Sequence, residues 1–413
     1  MTIEVHAVQS IKAFVESTFG ADSSASSASF TFIPLREGSA KVELTRESYD
    51  PQQLVSHIDE YRKEVLGKRS AKLTFTCNLA ATGTAAGAST AAVQGGLGML
   101  LKDMLGGETL GTGTTFTGGT ATVPTVTSAA GFAVGGCIGW VNSSGVLEVR
   151  EIKSISGTSI TLKLAFSGSP SNGNTAYAGA TYYPTANPAN SFAFIIEGLE
   201  SDDKWLLTGG QLVDGMTINL DPSAGGIPSI TFSMQFARWY DSTETASSLT
   251  GTIETATYSN FQPIVGEAGD VRVQTVGAPT LVTTTQVQVN AIQFAPQIGY
   301  VPYRSPSGTN TIKRWVRARK APTITGGWTD IYQDTTWWAA RNNRTDKALT
   351  YQFGTAAGST VMLSATTIQI MTPQRVDAGG LSGNSVTFKG RRDTGTSGST
   401  SDQALAPFRI HLV

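Results

Sequence analysis

The chain has 413 residues, a formal net charge of −1 and only 15% charged side chains, against roughly 25% in an average soluble domain. It carries no basic excess to grip a phosphate backbone. Its two cysteines rule out a disulfide framework and argue against a cysteine-held zinc ion, and no apolar run is long enough to span a membrane.

So little surface charge suits a protein that covers much of itself with copies of itself. The length suggests two or three domains, and alternating stretches of Thr, Val, Ser and Ile favour strands. The opening MTIEVHAVQSIKAFVESTFGAD carries Glu4 and no apolar run of signal-peptide length. Ala21–Ser29 is small and polar and reads as flexible. The alternation in AKVELTRES marks a strand. DPQQLVSHIDEYRKEVLG admits two readings: a helix capped by Asp50 with Pro51 at its first position, or an extended arm ordered by a neighbour. In KRSAKLTFTCNL, Leu73, Phe75 and Cys77 fall on one face and Lys72, Thr74 and Thr76 on the other. Ser89–Gly107 has the best helical pattern, with Leu97, Leu100, Leu101 and Leu105 at helical spacing and Gly106-Gly107 as the stop.

From Glu108 to Pro184 short strands alternate with Gly- and Ser-rich turns, the rhythm of a small β-barrel inserted between that helix and the next sheet. Asn187–Asp241 then reads as strand, hairpin turn at ESDD, strand, extended piece, turn and strand. Asp241–Pro279 is polar and reads as a linker or crossover. TLVTTTQVQVNAIQFAPQIGYVPY reads as a long strand pair.

One phrase is written twice. DPSAGGIPSITFSMQFARWYD (Asp221–Asp241) and RVDAGGLSGNSVTFKGRRD (Arg375–Asp393) share Ala-Gly-Gly, a turn, a β-branched residue with Thr-Phe, then Arg and Asp. Upstream, both copies carry a strand (Phe192–Glu197; Leu349–Phe353), a tight turn and a second strand (Lys204–Thr208; Thr360–Leu363). This is an internal repeat at the scale of a domain. The second copy offers no clear counterpart of the LLKDMLGG helix. RWVRARKAPTITGGWTDIYQDTTWWAARNNRTDK stands in its place.

EVLGKRSAKLTFTCNL, LGMLLKDMLGG, FAFIIEGLESDDKWLLTGGQLVDGMTINLDPSAGGIPSITFSMQFAR and NFQPIV resemble the major tail tube protein of long-tailed (siphovirus-type) bacteriophages. The resemblance runs from about residue 30 to 265, interrupted by the insert. It implies a mainly β fold of two tandem tail-tube β-sandwich or split-barrel domains with a flanking helix, plus a small inserted β-barrel module. Residues 1–107 and 185–265 would form the first domain, 108–184 the insert and 266–413 the second. The implied function is a structural virion protein, not an enzyme, assembled in the host cytoplasm. It polymerises into stacked rings that form the channel for DNA passage from capsid to host. In one branch each chain has two tube domains, so three chains make a pseudo-sixfold ring; the other arrangement is a homohexamer. The implied partners are the chain itself, tape measure, tail terminator and tail tip proteins, and double-stranded DNA in transient, non-specific passage, with no membrane insertion. If each domain gives four strands, roughly 24 strands spaced ~4.8 Å apart and tilted ~40° close at a backbone diameter near ~48 Å. About 5 Å of side chain on each wall leaves a bore of ~38 Å, wide enough for the duplex. A second reading is another tail β-protein, at the tip or as decoration, that binds host-surface glycans.

No catalytic, cofactor-binding or metal-ligating residue is nominated. His6, His57 and His411 are far apart, with no ligand-spaced pair. No Gly-x-Ser-x-Gly elbow occurs, and KWLLTGGQL lacks P-loop spacing. Glu200, Asp202 and Asp203 lack the pattern of a calcium loop and read as a hairpin tip or ring contact. Cys77 and Cys137 read as small buried hydrophobes. The basic cluster Arg314–Lys320, read as a strand, puts Trp315, Arg317 and Arg319 on one face and Arg314, Val316 and Ala318 on the other. It contacts either nucleic acid, stacking on Trp315, or a neighbouring subunit. The second suits a channel through which DNA must slide, because cations would slow its passage. Under the glycan reading Trp328, Trp337 and Trp338 would form an exposed sugar platform. A glycan-active enzyme would need a carboxylate pair, and none is nominated.

Overall fold

A computed structural model describes residues 2–5, 8–16, 19–20, 30–49, 65–79, 96–185, 190–198, 204–220, 227–241, 270–275, 285–286, 289–297, 300–304, 312–317, 323–330, 336–377, 382–392 and 401–413. Among these residues 27 strands outnumber three short helices, so the chain is mainly β. The readings made for Ala21–Ser29, the ESDD turn, both Ala-Gly-Gly turns, NFQPIV and nearly all of DPQQLVSHIDEYRKEVLG lie outside the described residues.

The repeated phrase is a repeated pattern of strand pairing. In the first half, Val65–Asn78 lies between Lys41–Tyr49 and Ser229–Phe236, and Ser229–Phe236 pairs with the distal half of Lys204–Leu220. The proximal half of that long strand pairs with Ser191–Gly198 and Arg238–Asp241, and Ser191–Gly198 pairs with Val8–Glu16. In the second half, Thr323–Asp330 lies between Val289–Gln297 and Ser382–Gly390, and Ser382–Gly390 pairs with the distal half of Val361–Asp377. The proximal half of that strand pairs with Lys347–Phe353 and Arg409–Leu412, and Lys347–Phe353 pairs with Asp270–Thr275. Phe232 and Phe388 hold matching places, opposite Met216 and Ile370.

Each long strand has 17 residues and is broken by a bulge. The extra residues bend the strand, so one segment serves two layers. In the first copy Gly209 and Gly215 adopt φ of 63° and 86°, a region that side chains rarely enter. The layers meet through aromatic rings. Phe194 packs 5.9 Å from Phe75 and 5.3 Å from Phe236, and Phe75 packs 5.2 Å from Phe232. In the second half Trp328 packs 5.6 Å from Phe388 and 5.3 Å from Trp337. Burying each such ring stabilises the fold by about 1.5–3 kcal/mol.

The Leu-rich helix covers Gly96–Leu105 and buries Leu97, Leu100, Leu101, Met104 and Leu105. Its first residue lies so close to the neighbouring chain that a Cβ on Gly96 would meet the Phe32 carbonyl at 2.6 Å. Gly106 ends it at φ 93°, and the chain turns directly into the strand Gly106–Leu110. The second half does contain a helix at the matching place. Thr336–Asn342 precedes Lys347–Phe353 as the Leu-rich helix precedes Ser191–Gly198. At seven residues it is too short to write a helical periodicity.

Between Gly106–Leu110 and Ala180–Pro184, which pair with each other, the chain forms a closed six-stranded barrel. Phe116, Ile138, Trp140, Ile152, Ile160, Leu162 and Phe166 fill it. Two other readings need correction. Asp270–Thr275, read as part of a linker, is a strand of the second half. Val289–Gln297 and Tyr300–Arg304, read as a pair, do not pair with each other. The former joins Lys204–Leu220 and Thr323–Asp330, and the latter joins Ile312–Arg317.

Candidate assembly surfaces

The halves meet edge to edge: Ile218, Asn219 and Leu220 pair with Phe294, Gln293 and Ile292. The joint makes one antiparallel run of eight strands. Its order is Lys41–Tyr49, Val65–Asn78, Ser229–Phe236, Lys204–Leu220, Val289–Gln297, Thr323–Asp330, Ser382–Gly390 and Val361–Asp377. One face is core, built from Leu73, Phe75, Cys77, Ile230, Phe232 and Met234, then Ile324, Trp328, Val386 and Phe388. The expected facing of Leu73, Phe75 and Cys77 is the one observed. The opposite face carries Lys41, Glu43, Thr45, Lys72, Thr74, Thr76, Thr231 and Ser233, then Thr325, Thr329, Ser385, Thr387 and Lys389, all partly or fully exposed. Such a one-sided sheet is ordinary for antiparallel strands. This face is rich in hydroxyls, and its charges include an ion pair of 3.1 Å between Lys41 and Glu43. Thr76 and Thr231 share a hydrogen bond of 2.9 Å across it, and a cavity of about 230 Å³ opens beside Glu43, Lys72, Ser233 and Gln235.

A hairpin of Tyr300–Arg304 and Ile312–Arg317 straps the joint. The Tyr300 hydroxyl donates to the Met104 carbonyl at 3.1 Å, at the end of the Leu-rich helix. Trp315 Nε1 donates to the Gly209 carbonyl at 2.8 Å. The alternation expected of Arg314, Trp315 and Val316 is present: Trp315 is buried, while Arg314 and Val316 face out. The Arg314 guanidinium lies 5.4 Å above the Tyr303 ring. Trp315 is therefore not available to stack on a base. Ala318, Arg319 and Lys320 lie outside the described residues.

The barrel docks on the second half, although it interrupts the first in sequence. The strand Arg409–Leu412 runs between Ala180–Tyr182 and Val361–Ser364. From it Arg409 Nη1 reaches Glu151 Oε1 on the barrel at 2.7 Å, and Lys163 Nζ meets the same oxygen at 2.9 Å. Burial alone would raise the Glu151 pKa, but Arg409 and Lys163 outweigh it and hold the carboxyl below its ordinary value. His411 is buried between the hydroxyls of Thr181 at 3.0 Å and Ser364 at 3.1 Å. Burial holds its pKa down at about 3, so it is neutral. Gln352 accepts from Val149 N at 2.9 Å and donates to Leu147 O at 2.6 Å. Leu147, Val149, Met362 and Val413 close the seam with apolar contact.

These seams gather residues that no motif flagged. Tyr300 and Met104 are 196 positions apart, and Gln352 and Val149 are 203 apart; no local pattern encodes either contact. Of the residues singled out from sequence, His411 sits in the barrel seam. His6, His57, Glu200, Asp202 and Asp203 lie outside the described residues. Trp328 and Trp337 are 2% and 1% exposed, so they form no sugar platform; Trp338 is half-buried. Burial pushes the Cys137 thiol up to about 12 and Cys77 higher still, so neither is a poised nucleophile. Among the described residues no three His, Cys, Asp or Glu side chains gather to hold a metal ion, and no helix is long and apolar enough to cross a membrane. No family model and no curated protein matches this chain.

Proposed function

We propose that the chain is a structural protein of the tail-tube type, whose copies join sheet edge to sheet edge into rings that stack around a channel for double-stranded DNA. The observation that carries this reading is the eight-stranded run built from two like halves, core on one face and hydroxyl-lined on the other. Three such chains supply the roughly 24 strands that close at ~48 Å, leaving a bore of ~38 Å. Threonine and serine hydroxyls hold water, and Lys41, Lys72 and Lys389 stand among them with Lys41 paired to Glu43, which is not a basic track for DNA to grip. Closure also removes sheet edges that would otherwise recruit foreign strands. The barrel, docked on the second half, stands off the wall as a decoration. Tape measure, terminator and tip proteins are the partners that the tail-tube resemblance implies, and the virion is the implied location.

Electron microscopy of concentrated protein tests the reading: striated tubes are expected, and isolated particles at every concentration and salt overturn it. Native mass spectrometry of rings then counts chains. About three times the 43.3 kDa chain is expected, and six times overturns the two-sectors-per-chain arrangement.

A further inference from the structure

The hairpin that straps the joint has two unlike faces. One is used inside the chain: Tyr300 and Trp315 are buried and held to the carbonyls of Met104 and Gly209. The other carries Val301, Tyr303 and Val316, which are 53%, 54% and 41% exposed. Val301 stands opposite Val316, and Tyr303 opposite Arg314. The four side chains therefore form one patch, with the Arg314 guanidinium laid over the Tyr303 ring. Leu110, Val123, Ile227 and Met371, the other exposed large apolar residues among those described, fall on different segments.

The patch sits at one end of the eight-stranded run. Ser229–Phe236 and Val289–Gln297 both pair antiparallel with Lys204–Leu220, so they point the same way. The hairpin follows Gln297, whereas Ile227, 38% exposed, precedes Ser229. The two lie at opposite ends of the run. Charge separates the ends further. The hairpin strands YVPYR and IKRWVR hold Arg304, Lys313, Arg314 and Arg317 and no acid, so two hairpins set face to face would bring like charges together. The opposite end carries both signs. Arg36 N donates to the Thr76 carbonyl there, Asp377 stands opposite Ser382, and Arg36, Glu37, Arg375 and Asp377 are all exposed.

We infer that the Val301–Tyr303–Val316 face seats head to tail on the Ile227 end of a second copy, and that this contact stacks one ring on the next. The inference rests on the ring reading above and gives it a stacking surface. Contact between unlike ends repeats without closing, which makes an open filament rather than a dimer. Size argues for the same partner. The three half-exposed side chains present on the order of 300 Å², the scale of a functional apolar patch. A partner in a stable interface contributes roughly 800 Å², so one hairpin does not hold two lone chains together. Three hairpins on one ring engage as linked sites, each raising the effective concentration of the next. Rings therefore stack where single chains do not.

An isosteric exchange tests it. Val301→Thr/Val316→Thr keeps the β-branched shape on an exposed surface and replaces one methyl with a hydroxyl at each position. Because the loss recurs at every hairpin of a ring, the concentration at which tubes appear should rise more than about tenfold. Ring mass by native mass spectrometry and the thermal unfolding midpoint should stay unchanged. Unchanged tube formation overturns the stacking contact, and so does loss of the rings themselves, which would place the hairpin in ring closure. A second measurement does not depend on the variant's stability. Native Cys77 and Cys137 are buried, so a chain with Ile227→Cys and Val316→Cys, treated with a short bis-maleimide after assembly, is expected to give covalent ladders that continue beyond three chains. Tubes whose crosslinks are absent or stop at three chains overturn the head-to-tail contact, as do dimers from Val316→Cys alone; in each case the tube reading stands. A chain that stays monomeric at every concentration overturns both.

Discussion

Arg409 and Glu151 form an ion pair of 2.7 Å, with side chains only 0% and 2% exposed, that ties the last strand to the barrel. Two charges out of water are tolerable only because each is answered. Arg409 also donates to the carbonyls of Gln403 and Ala404, both at 2.6 Å, and Lys163 shares the Glu151 carboxylate. The seam is therefore specific, and sensitive to losing one partner.

Glu151→Gln leaves both Arg409 and Lys163 without their anion. It should destabilise the fold by about 3–5 kcal/mol, the usual cost of breaking a buried pair from one side. Arg409→Met leaves Glu151 paired with Lys163 and should cost less. The double variant should recover part of the loss. Urea unfolding of the four proteins decides this, and additive losses would show that the two residues do not act as a pair.

The same seam sets an acid limit. His411 is neutral when folded, with its pKa held at about 3, but protonates near its ordinary value of about 6.5 when unfolded. Between these values the unfolded chain binds the extra proton, so stability falls as pH falls, by up to about 1.4 kcal/mol per pH unit. Glu151, whose folded pKa is lowered, adds a loss of the same sign below about pH 4.3, where the unfolded carboxyl protonates. His411→Gln should flatten the stability profile between about pH 4.5 and 6.5 and leave the steeper fall below it. An unchanged slope in that window would assign the pH dependence to other groups.

Gly210 marks a close approach of another kind. A Cβ there would sit 2.2 Å from Cε1 of Phe236, a ring packed against Phe194 at 5.3 Å. Gly210→Ala should cost about 1–3 kcal/mol through overpacking. Gly139→Ala, whose nearest contact would be the flexible end of Leu147 at 3.1 Å, should cost less. Thermal unfolding of both variants compares them directly.

What the sequence made legible was periodic and local. The alternation Leu73-Thr74-Phe75-Thr76-Cys77 fixes which face is core, because strand side chains alternate by geometry. The turn rhythm after Glu108 marks the barrel for the same kind of reason. The Thr-Phe phrase marks the duplication because both copies need a Phe at the same place in the same sheet. What was not legible depends on partner choice between distant segments. Nothing near Tyr300 announces that its hydroxyl reaches the carbonyl of Met104. Nothing near Trp328 and Trp337 tells a core ring from an exposed one, since both readings call for aromatics among polar residues. Asp270–Thr275 looked like linker because its six residues are polar at alternate positions and short.

The barrel should be separable from the wall, at a cost set by its seam. Gly111 N donates to Gly179 O at 3.1 Å, so the two ends of the excursion already touch, and a Gly-Ser bridge can replace Thr112–Ala178 without strain. The strands that flank it, Gly106–Leu110 and Ala180–Pro184, keep each other as partners. The deletion does remove Glu151 from Arg409 and uncovers Met362 and Val413. The shortened chain is therefore expected to fold and assemble, with lower stability and a tendency to aggregate through that apolar patch. Adding Met362→Thr and Val413→Ser to the deletion should restore solubility, because the patch then faces water as a polar surface. Microscopy should show tubes of the same bore and smaller outer diameter. If the deletion stays unfolded by circular dichroism with and without those two changes, the barrel belongs to the core that builds the wall, and its role as a decoration is wrong.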